Sequence, residues 1–218
     1  MNINGYIDHT LLKPEATESM IVQLCQEALK YRFAAVCVNS CYTELVKGEL
    51  IDSGVKTCVV AGFPLGASQT LVKAFETREA VKRGADEIDM VINVGALKDG
   101  RHGLVEDDIR AVVQAAGPTA IVKVIIECCL LTDIEKEKAC ELAVRAGAHF
   151  VKTSTGFGGG GAAVEDVRLM KRTVGSRARV KAAGGIKTLE QALAMIDAGA
   201  DRLGLSSGVR IINENMKR

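Results

Sequence analysis

The sequence predicts an α/β protein, a single-domain (β/α)8 TIM barrel over residues 1–218, and three observations point there. Eight short β-branched runs alternate with longer amphipathic stretches from one end to the other, the pattern of repeated βα units on a parallel sheet. A local phrase recurs where helices hand over to strands: Arg-Gly-Ala-Asp at 83–86, Arg-Ala-Gly-Ala-His at 145–149 and Asp-Ala-Gly-Ala-Asp at 197–201. Each phrase puts Gly where the residue after a helix needs positive φ. The length, 218 residues, falls near the low end of the roughly 200 to 400 of single-domain barrels, and no Pro-rich, Ser-rich or charged linker divides it.

In chain order, a strand-like run at 6–8 precedes a helical stretch at 18–32, and 34–39 precedes 43–52. The third unit pairs 56–62 with 69–83, where Leu71, Ala74, Phe75 and Val81 fall at helical spacing and predict the core face. The fourth pairs 87–93 with 105–116, the fifth 121–127 with 133–146, and the sixth 150–154 with 164–174. The last two pair 179–183 with 189–198 and 202–205 with 209–215. An open doubly wound sheet is the competing arrangement, but no G-x-G-x-x-G follows the first strand and the later strands carry the polar residues.

Lys and Arg number 28 against 27 Asp and Glu, a formal charge of +1, so no summed field singles out nucleic acid or an anionic membrane as partner. An anionic ligand would need a local site. The first residues lack the charged start and apolar run of a secretion signal, and no segment approaches the roughly 20 apolar residues of a membrane span. A cytoplasmic protein is the expectation. Seven cysteines, at 25, 37, 41, 58, 128, 129 and 140, lie in strand-like or helix-like patterns and are expected as reduced, buried thiols. No pair has C-x-x-C spacing and the only histidines are His9, His102 and His149, which argues against zinc.

Catalytic groups of a barrel stand at the C-terminal ends of its strands, so polar residues late in apolar runs are the candidates. In Glu87-Ile-Asp-Met-Val-Ile-Asn93 the period of two puts Asp89 on the barrel's inner face and Ile88, Met90 and Ile92 toward the helices. The plain alternative for Asp89 is a structural carboxylate satisfied by a lysine. Lys152, within Phe-Val-Lys-Thr-Ser, must be desolvated unless paired or extended out of the strand end. Lys181 is placed likewise in the next strand, and two converging ammonium groups would lower the pKa of one and leave a nucleophilic amine. Such an amine attacks a carbonyl, and the iminium then draws electrons from the adjacent carbon, so no metal is needed for carbon–carbon cleavage. Lys123 and Glu127 share a strand face and are expected as an interior ion pair.

Gly184-Gly185 after strand seven and Ser206-Ser207-Gly208 after strand eight occupy the two loops that commonly form a barrel's anion site, with the helix start near Val209 adding its positive end. The loop Gly156-Phe-Gly-Gly-Gly-Gly161 either closes over that end or turns the chain. From the residues alone, a Schiff-base aldolase, a transaldolase with another donor and a non-catalytic phosphosugar-binding barrel remain open.

Eight segments in order carry a closer resemblance: Ile-Asp-His-Thr-Leu-Leu-Lys-Pro at 7–14, Val-Cys-Val-Asn at 36–39, Gly-Phe-Pro-Leu-Gly at 62–66, Gly-Ala-Asp-Glu-Ile-Asp-Met-Val-Ile-Asn at 84–93, Lys-Val-Ile-Ile-Glu at 123–127, Val-Lys-Thr-Ser-Thr-Gly-Phe at 151–157, Lys-Ala-Ala-Gly-Gly-Ile at 181–186 and Arg-Leu-Gly-Leu-Ser-Ser-Gly at 202–208. Together they resemble the deoxyribose-phosphate aldolase family. The resemblance implies reversible cleavage of 2-deoxy-D-ribose 5-phosphate to acetaldehyde and D-glyceraldehyde 3-phosphate, without metal or organic cofactor. It implies Lys152 as the Schiff-base residue, Lys181 as the lysine that tunes it, and Asp89 as a proton shuttle working with Lys181 and water. Phosphate contacts carry over to Gly156, Gly184, Gly185, Ser206 and Ser207, and pocket positions to Asp8, Thr10, Cys37 and Asn39.

The chain departs from the family pattern at Ala163, where Thr is frequent, at Ala183, where Ser is, and at Cys128, where Thr is. A lost hydroxyl N-cap at 163 would cost roughly 0.5 to 2 kcal/mol. The sequence ends at Met216-Lys-Arg218 without an aromatic tail that some relatives carry, so water and Asp89 are expected to move the enamine proton. A homodimer or homotetramer is expected for a barrel of this kind.

Overall fold

Every strand is hydrogen-bonded in parallel to the next in sequence, and the last returns to the first, which closes the sheet into a barrel. The computed structural model describes residues 3–216. Its strands are β1 (Ile7–Leu11), β2 (Ala35–Val38), β3 (Lys56–Ala61), β4 (Glu87–Val91), β5 (Ile121–Ile125), β6 (Phe150–Lys152), β7 (Arg179–Ala183) and β8 (Arg202–Leu205). The helices are α1 (Glu18–Tyr31), α2 (Thr43–Glu49), α3 (Thr70–Lys82), α4 (Val94–Lys98), α5 (His102–Ala116), α6 (Asp133–Arg145), α7 (Val164–Val174), α8 (Leu189–Asp197) and α9 (Gly208–Met216). The expected (β/α)8 barrel is therefore present, with each expected helical stretch within a few residues of its place. Residues 217–218, where the expectation about a missing aromatic tail falls, lie outside the described part.

The recurring junction phrase has a physical purpose. Gly84, Gly147 and Gly199 take φ of +102°, +88° and +108°, turning the chain after α3, α6 and α8. The residue two places on then reaches into the adjacent strand. Asp86 Oδ2 accepts from Thr57 N at 2.9 Å, His149 Nδ1 from Val122 N at 3.1 Å and Asp201 Oδ2 from Val180 N at 2.8 Å. Thus three units of the barrel pin their strand starts by one device, with either a carboxylate or an imidazole as acceptor.

Three strands, β4, β5 and β6, stop two residues before their expected ends, and for the first two the cause is local. Asn93 ends the fourth unit's strand because its side chain accepts from Ala96 N at 3.0 Å and caps α4, a helix the periodicity does not announce. Glu127 takes φ +57°, ψ +66°, which breaks the extension of β5. The first strand, by contrast, runs on to Leu11, three residues beyond its expected end.

Ile88, Met90 and Ile92 lie fully buried in the layer between barrel and helices, as the period of two requires. The face of α3 meets expectation at Ala74, which is buried, and at Val81, which packs against the core, and departs from it at Leu71 and Phe75. Leu71 is 79 % and Phe75 60 % exposed, while Lys73, Ala74, Thr77 and Ala80 face inward. Lys73 accounts for the inversion: its Nζ donates to Asp108 Oδ2 at 2.6 Å and to Val91 O at 2.9 Å, so a buried ion pair rather than an apolar stripe orients the helix. Ala163 sits at the N-cap of α7 with no side-chain cap, and Glu165 and Asp166 in the first turn offset the missing hydroxyl through the helix dipole. All seven cysteines are free, but Cys41 and Cys129 are exposed, at the middle positions of short 3-10 turns after β2 and β5, while Cys128 in the second of these turns stays buried. No helix among the described residues is long and apolar enough to cross a membrane.

Candidate active site

The interior of the barrel is filled with charge. Asp8, Glu87, Asp89, Lys123, Lys152 and Lys181 project inward from β1, β4, β5, β6 and β7, and each is at most 2 % exposed. Register explains the meeting: Asp89 is opposite Lys123 across β4 and β5, and Lys152 is opposite Lys181 across β6 and β7. Side chains on one face of neighbouring strands must then pair or remain uncompensated.

Asp89 is the hub. Its Oδ1 accepts from Lys123 Nζ at 2.7 Å, and its Oδ2 accepts from Lys152 Nζ at 2.8 Å and from Lys181 Nζ at 2.7 Å. Asp8 takes a second hydrogen bond from Lys181 through Oδ2 and one from Arg202 Nη1 through Oδ1 at 2.6 Å. Glu87 joins Lys123 Nζ at 2.6 Å to Arg202 Nη2 at 3.3 Å. Four cations, Lys123, Lys152, Lys181 and Arg202, therefore face three carboxylates, and of the four Lys152 pairs with one carboxylate alone.

The electrostatics follow from that count. Burial would raise the Asp89 carboxyl, but Lys123, Lys152 and Lys181 overcome it and hold it well below the usual carboxylate range. Burial opposes ionisation of Asp8 too, yet Lys181, Lys123 and Arg202 lower it to about 2. For Lys181 burial works against the charge, while Asp8 and Asp89 outweigh it and raise the ammonium above the ordinary lysine range. The expectation that two converging lysines would depress one of them does not hold for Lys181, because two carboxylates stand against it.

The expected pair of Lys123 with Glu127 is also absent. Lys123 points across to Glu87 and Asp89, and Glu127, turned by its left-handed backbone, accepts instead from Thr155 N at 3.2 Å and from the Thr155 hydroxyl. Counting along a strand cannot foresee a backbone reversal at its end.

Above Lys152 opens a cavity of about 360 Å³. Of the expected pocket and phosphate residues, Thr10, Gly156, Gly184, Gly185, Ser206 and Ser207 line it, while Asp8, Cys37 and Asn39 do not. Asp8 and Cys37 are fully buried, and Asn39 is turned away to donate to Leu12 O at 3.2 Å. Gly184 and Gly185 have φ of +90° and +77°, and a Cβ on the adjoining Gly161 would stand 2.4 Å from Gly184 O. Only glycines let these loops meet.

Three contributors escape the sequence argument. Glu87 and Arg202 belong to the buried network through contacts across the barrel, and Lys187 lines the cavity as an exposed cation two residues beyond Gly185. A lysine following a Gly-Gly loop was the available sign for the last. As for metal, Cys37, Cys58 and Asp89 bring ligand atoms within 4.8 Å of one another, a grouping that strand spacing hides. The Asp89 oxygens are already occupied by three ammonium groups, which makes the cluster unsuited to a cation.

A family model described as DeoC/LacD family aldolase matches residues 4–214. A deoxyribose-phosphate aldolase of Clostridium tetani is 59 % identical over 99 % of this chain and 100 % of its own length. One of Finegoldia magna is 60 % identical over 97 % of this chain and 99 % of its own. Among solved structures, the tetrameric deoxyribose phosphate aldolase of Aeropyrum pernix superposes with TM-score 0.92 at 34 % identity, covering 98 % of this chain and 91 % of that one. With its barrel, its buried lysines and these matches over almost the full length, the chain belongs to the DeoC/LacD family of aldolases.

Proposed function

We propose that the protein cleaves 2-deoxy-D-ribose 5-phosphate reversibly to acetaldehyde and D-glyceraldehyde 3-phosphate through a Schiff base on Lys152. The observation that carries this reading is the position of Lys152 Nζ: it belongs to the charged network through Asp89, yet Lys152 also lines the open cavity. Of the four cations it alone has both properties.

Lys152, once its ammonium proton has passed to water, attacks the C1 aldehyde as an amine, and the carbinolamine loses water to give an iminium. Lys181, held protonated, supplies a proton to the departing hydroxyl through the oxygen of Asp89 or through water. Transfer of the C3 hydroxyl proton through water to Asp89 lets the electrons of the C2–C3 bond flow into the iminium, which releases the three-carbon aldehyde phosphate and leaves an enamine on Lys152. Protonation at C2 and hydrolysis then free acetaldehyde. Asp89, ionised at rest, relays protons between the two amines by taking up and releasing one in turn, and as the carboxylate it compensates the positive charge of the iminium.

At the other end of the cavity Gly156, Gly184, Gly185, Ser206 and Ser207 offer backbone N–H and hydroxyl groups to the phosphate, next to the start of α9, and Lys187 adds a cation. Thr10 flanks the reacting carbons. Asp8 acts through Lys181 and Cys37 through packing beneath the site, rather than by touching the substrate. The exposed Leu71, Val72 and Phe75 of α3 support assembly into a homo-oligomer. A donor comparison tests the reaction: turnover with acetaldehyde as donor, and not with dihydroxyacetone or its phosphate, is expected. Turnover with dihydroxyacetone instead would make the protein a different Schiff-base aldolase.

A further inference from the structure

Glu127 is a buried carboxylate that the mechanism does not use, and it stands in a conformation that L-residues rarely adopt, with φ +57° and 3 % exposure. Its neighbours are anchored to the catalytic strand: Ile126 N donates to Lys152 O at 3.0 Å and Cys128 N to Thr153 O at 2.9 Å. Between these two bonds the backbone has no freedom, and the left-handed turn swings the carboxylate off the barrel axis toward the segment that follows β6.

There it is fully engaged. Thr155 N donates to Oε1 at 3.2 Å and to Oε2 at 3.3 Å, and the Thr155 hydroxyl donates to Oε2. Phe157 N in turn donates to Thr155 Oγ1 at 3.0 Å, and the Phe157 ring meets that of Phe63 edge-on at 5.3 Å. A Cβ on Gly158 would lie 2.9 Å from the Glu127 carboxyl carbon, so the segment packs directly on the carboxylate. Thr155, Gly156 and Phe157 all line the cavity over Lys152, and Gly156 abuts Gly184, whereas Glu127 is not among the lining residues.

We infer that Glu127 is a positioning residue: through Thr155 it presets residues 155–158, so that the Gly156 backbone and the Phe157 ring stand ready at the phosphate end of the cavity, and it thereby sets the preference for phosphorylated over unphosphorylated sugar. The inference rests on the reading of that cavity as a phosphosugar site. It costs the backbone strain at one residue and saves ordering the loop at each binding event. Lys152 lies on the strand before this loop and keeps its own bond to Asp89, so formation of the Schiff base is independent of the carboxylate.

The test uses Glu127→Gln, which turns one acceptor oxygen into a donor facing Thr155, and Glu127→Gly, which accepts positive φ without strain and removes the carboxylate; either variant, shown to be folded by near-ultraviolet circular dichroism, carries the test. Turnover of 2-deoxyribose 5-phosphate by the wild-type protein is measured first and examines the parent reading on its own. In the variants kcat/KM for the phosphorylated sugar should fall roughly tenfold, chiefly through KM, as expected when hydrogen bonds to a charged group are lost. For unphosphorylated 2-deoxyribose it should stay within about threefold, and borohydride trapping of acetaldehyde at Lys152 within about twofold. Equal losses with both sugars, no loss with either, or loss of trapping would overturn the assignment.

Discussion

One oxygen of Asp89 bridges the two amines of the site: Oδ2 accepts from Lys152 Nζ at 2.8 Å and from Lys181 Nζ at 2.7 Å. A proton leaving either nitrogen therefore meets the other through a single atom. Replacing that oxygen by an amide nitrogen sets a donor against two donors.

Asp89→Asn should accordingly lower kcat by roughly 10²- to 10⁴-fold, the range of general acid–base contributions. The same variant should slow exchange of acetaldehyde methyl protons with solvent deuterium, followed by nuclear magnetic resonance. Because it leaves Lys123 short of a buried counter-charge, its unfolding free energy should drop by about 3 to 5 kcal/mol. Exchange at the wild-type rate in folded variant would remove Asp89 from proton transfer.

Acid sensitivity follows from Asp8. Its carboxyl is lowered to about 2 in the folded protein against roughly 3.9 in an unfolded chain, so the native state gains from its ionisation. That contribution, about 2 to 3 kcal/mol, is fully present above the unfolded value and is lost as pH falls from roughly 4 through 2. Urea unfolding at a series of pH values should show a steep acid limb in the wild type and a shallower one in Asp8→Asn. Parallel limbs would contradict the account.

Lys187 is, with Lys13, one of two exposed cations lining the cavity, and it follows the Gly184-Gly185 loop, so its loss should be felt in binding. Lys187→Ala is expected to raise KM for the phosphorylated sugar roughly three- to tenfold with kcat little changed, as for a solvent-accessible charge-assisted contact. The effect should fade with added salt. A change in kcat with KM intact would place Lys187 elsewhere in the cycle.

A fourth expectation concerns the scaffold. Lys73→Met leaves Asp108 buried without its partner and should cost about 3 to 5 kcal/mol in chemical denaturation. Since Lys73 contacts no residue of the charged network directly, folded Lys73→Met should still form the Lys152 adduct at the wild-type rate. A loss below about 1 kcal/mol would mean the pair is not what orients α3.

The barrel was legible because its signals are local. Strand and helix periods, and glycines such as Gly84 and Gly199 with positive φ, are properties of short windows. Lys152, Lys181 and Asp89 were legible for a related reason: a charge inside an apolar strand demands a partner, and adjacent strands can supply one. What stayed hidden depends on distance across the fold. Arg202 finds Asp8 and Glu87 only once β8 closes on β1, and Lys73 replaces Leu71 at the core only because Asp108 waits on α5. Glu127 was misassigned because a single left-handed residue reverses the face that counting by twos assigns.

Whether Lys152 is the nucleophile is decided by incubating the protein with acetaldehyde and borohydride and mapping the modified peptide by mass spectrometry, beside Lys152→Ala and Lys181→Ala. One ethyl group is expected, on Lys152, absent from the Lys152→Ala protein. An adduct on Lys181 in the wild-type protein, or none in protein shown to be folded, would contradict it.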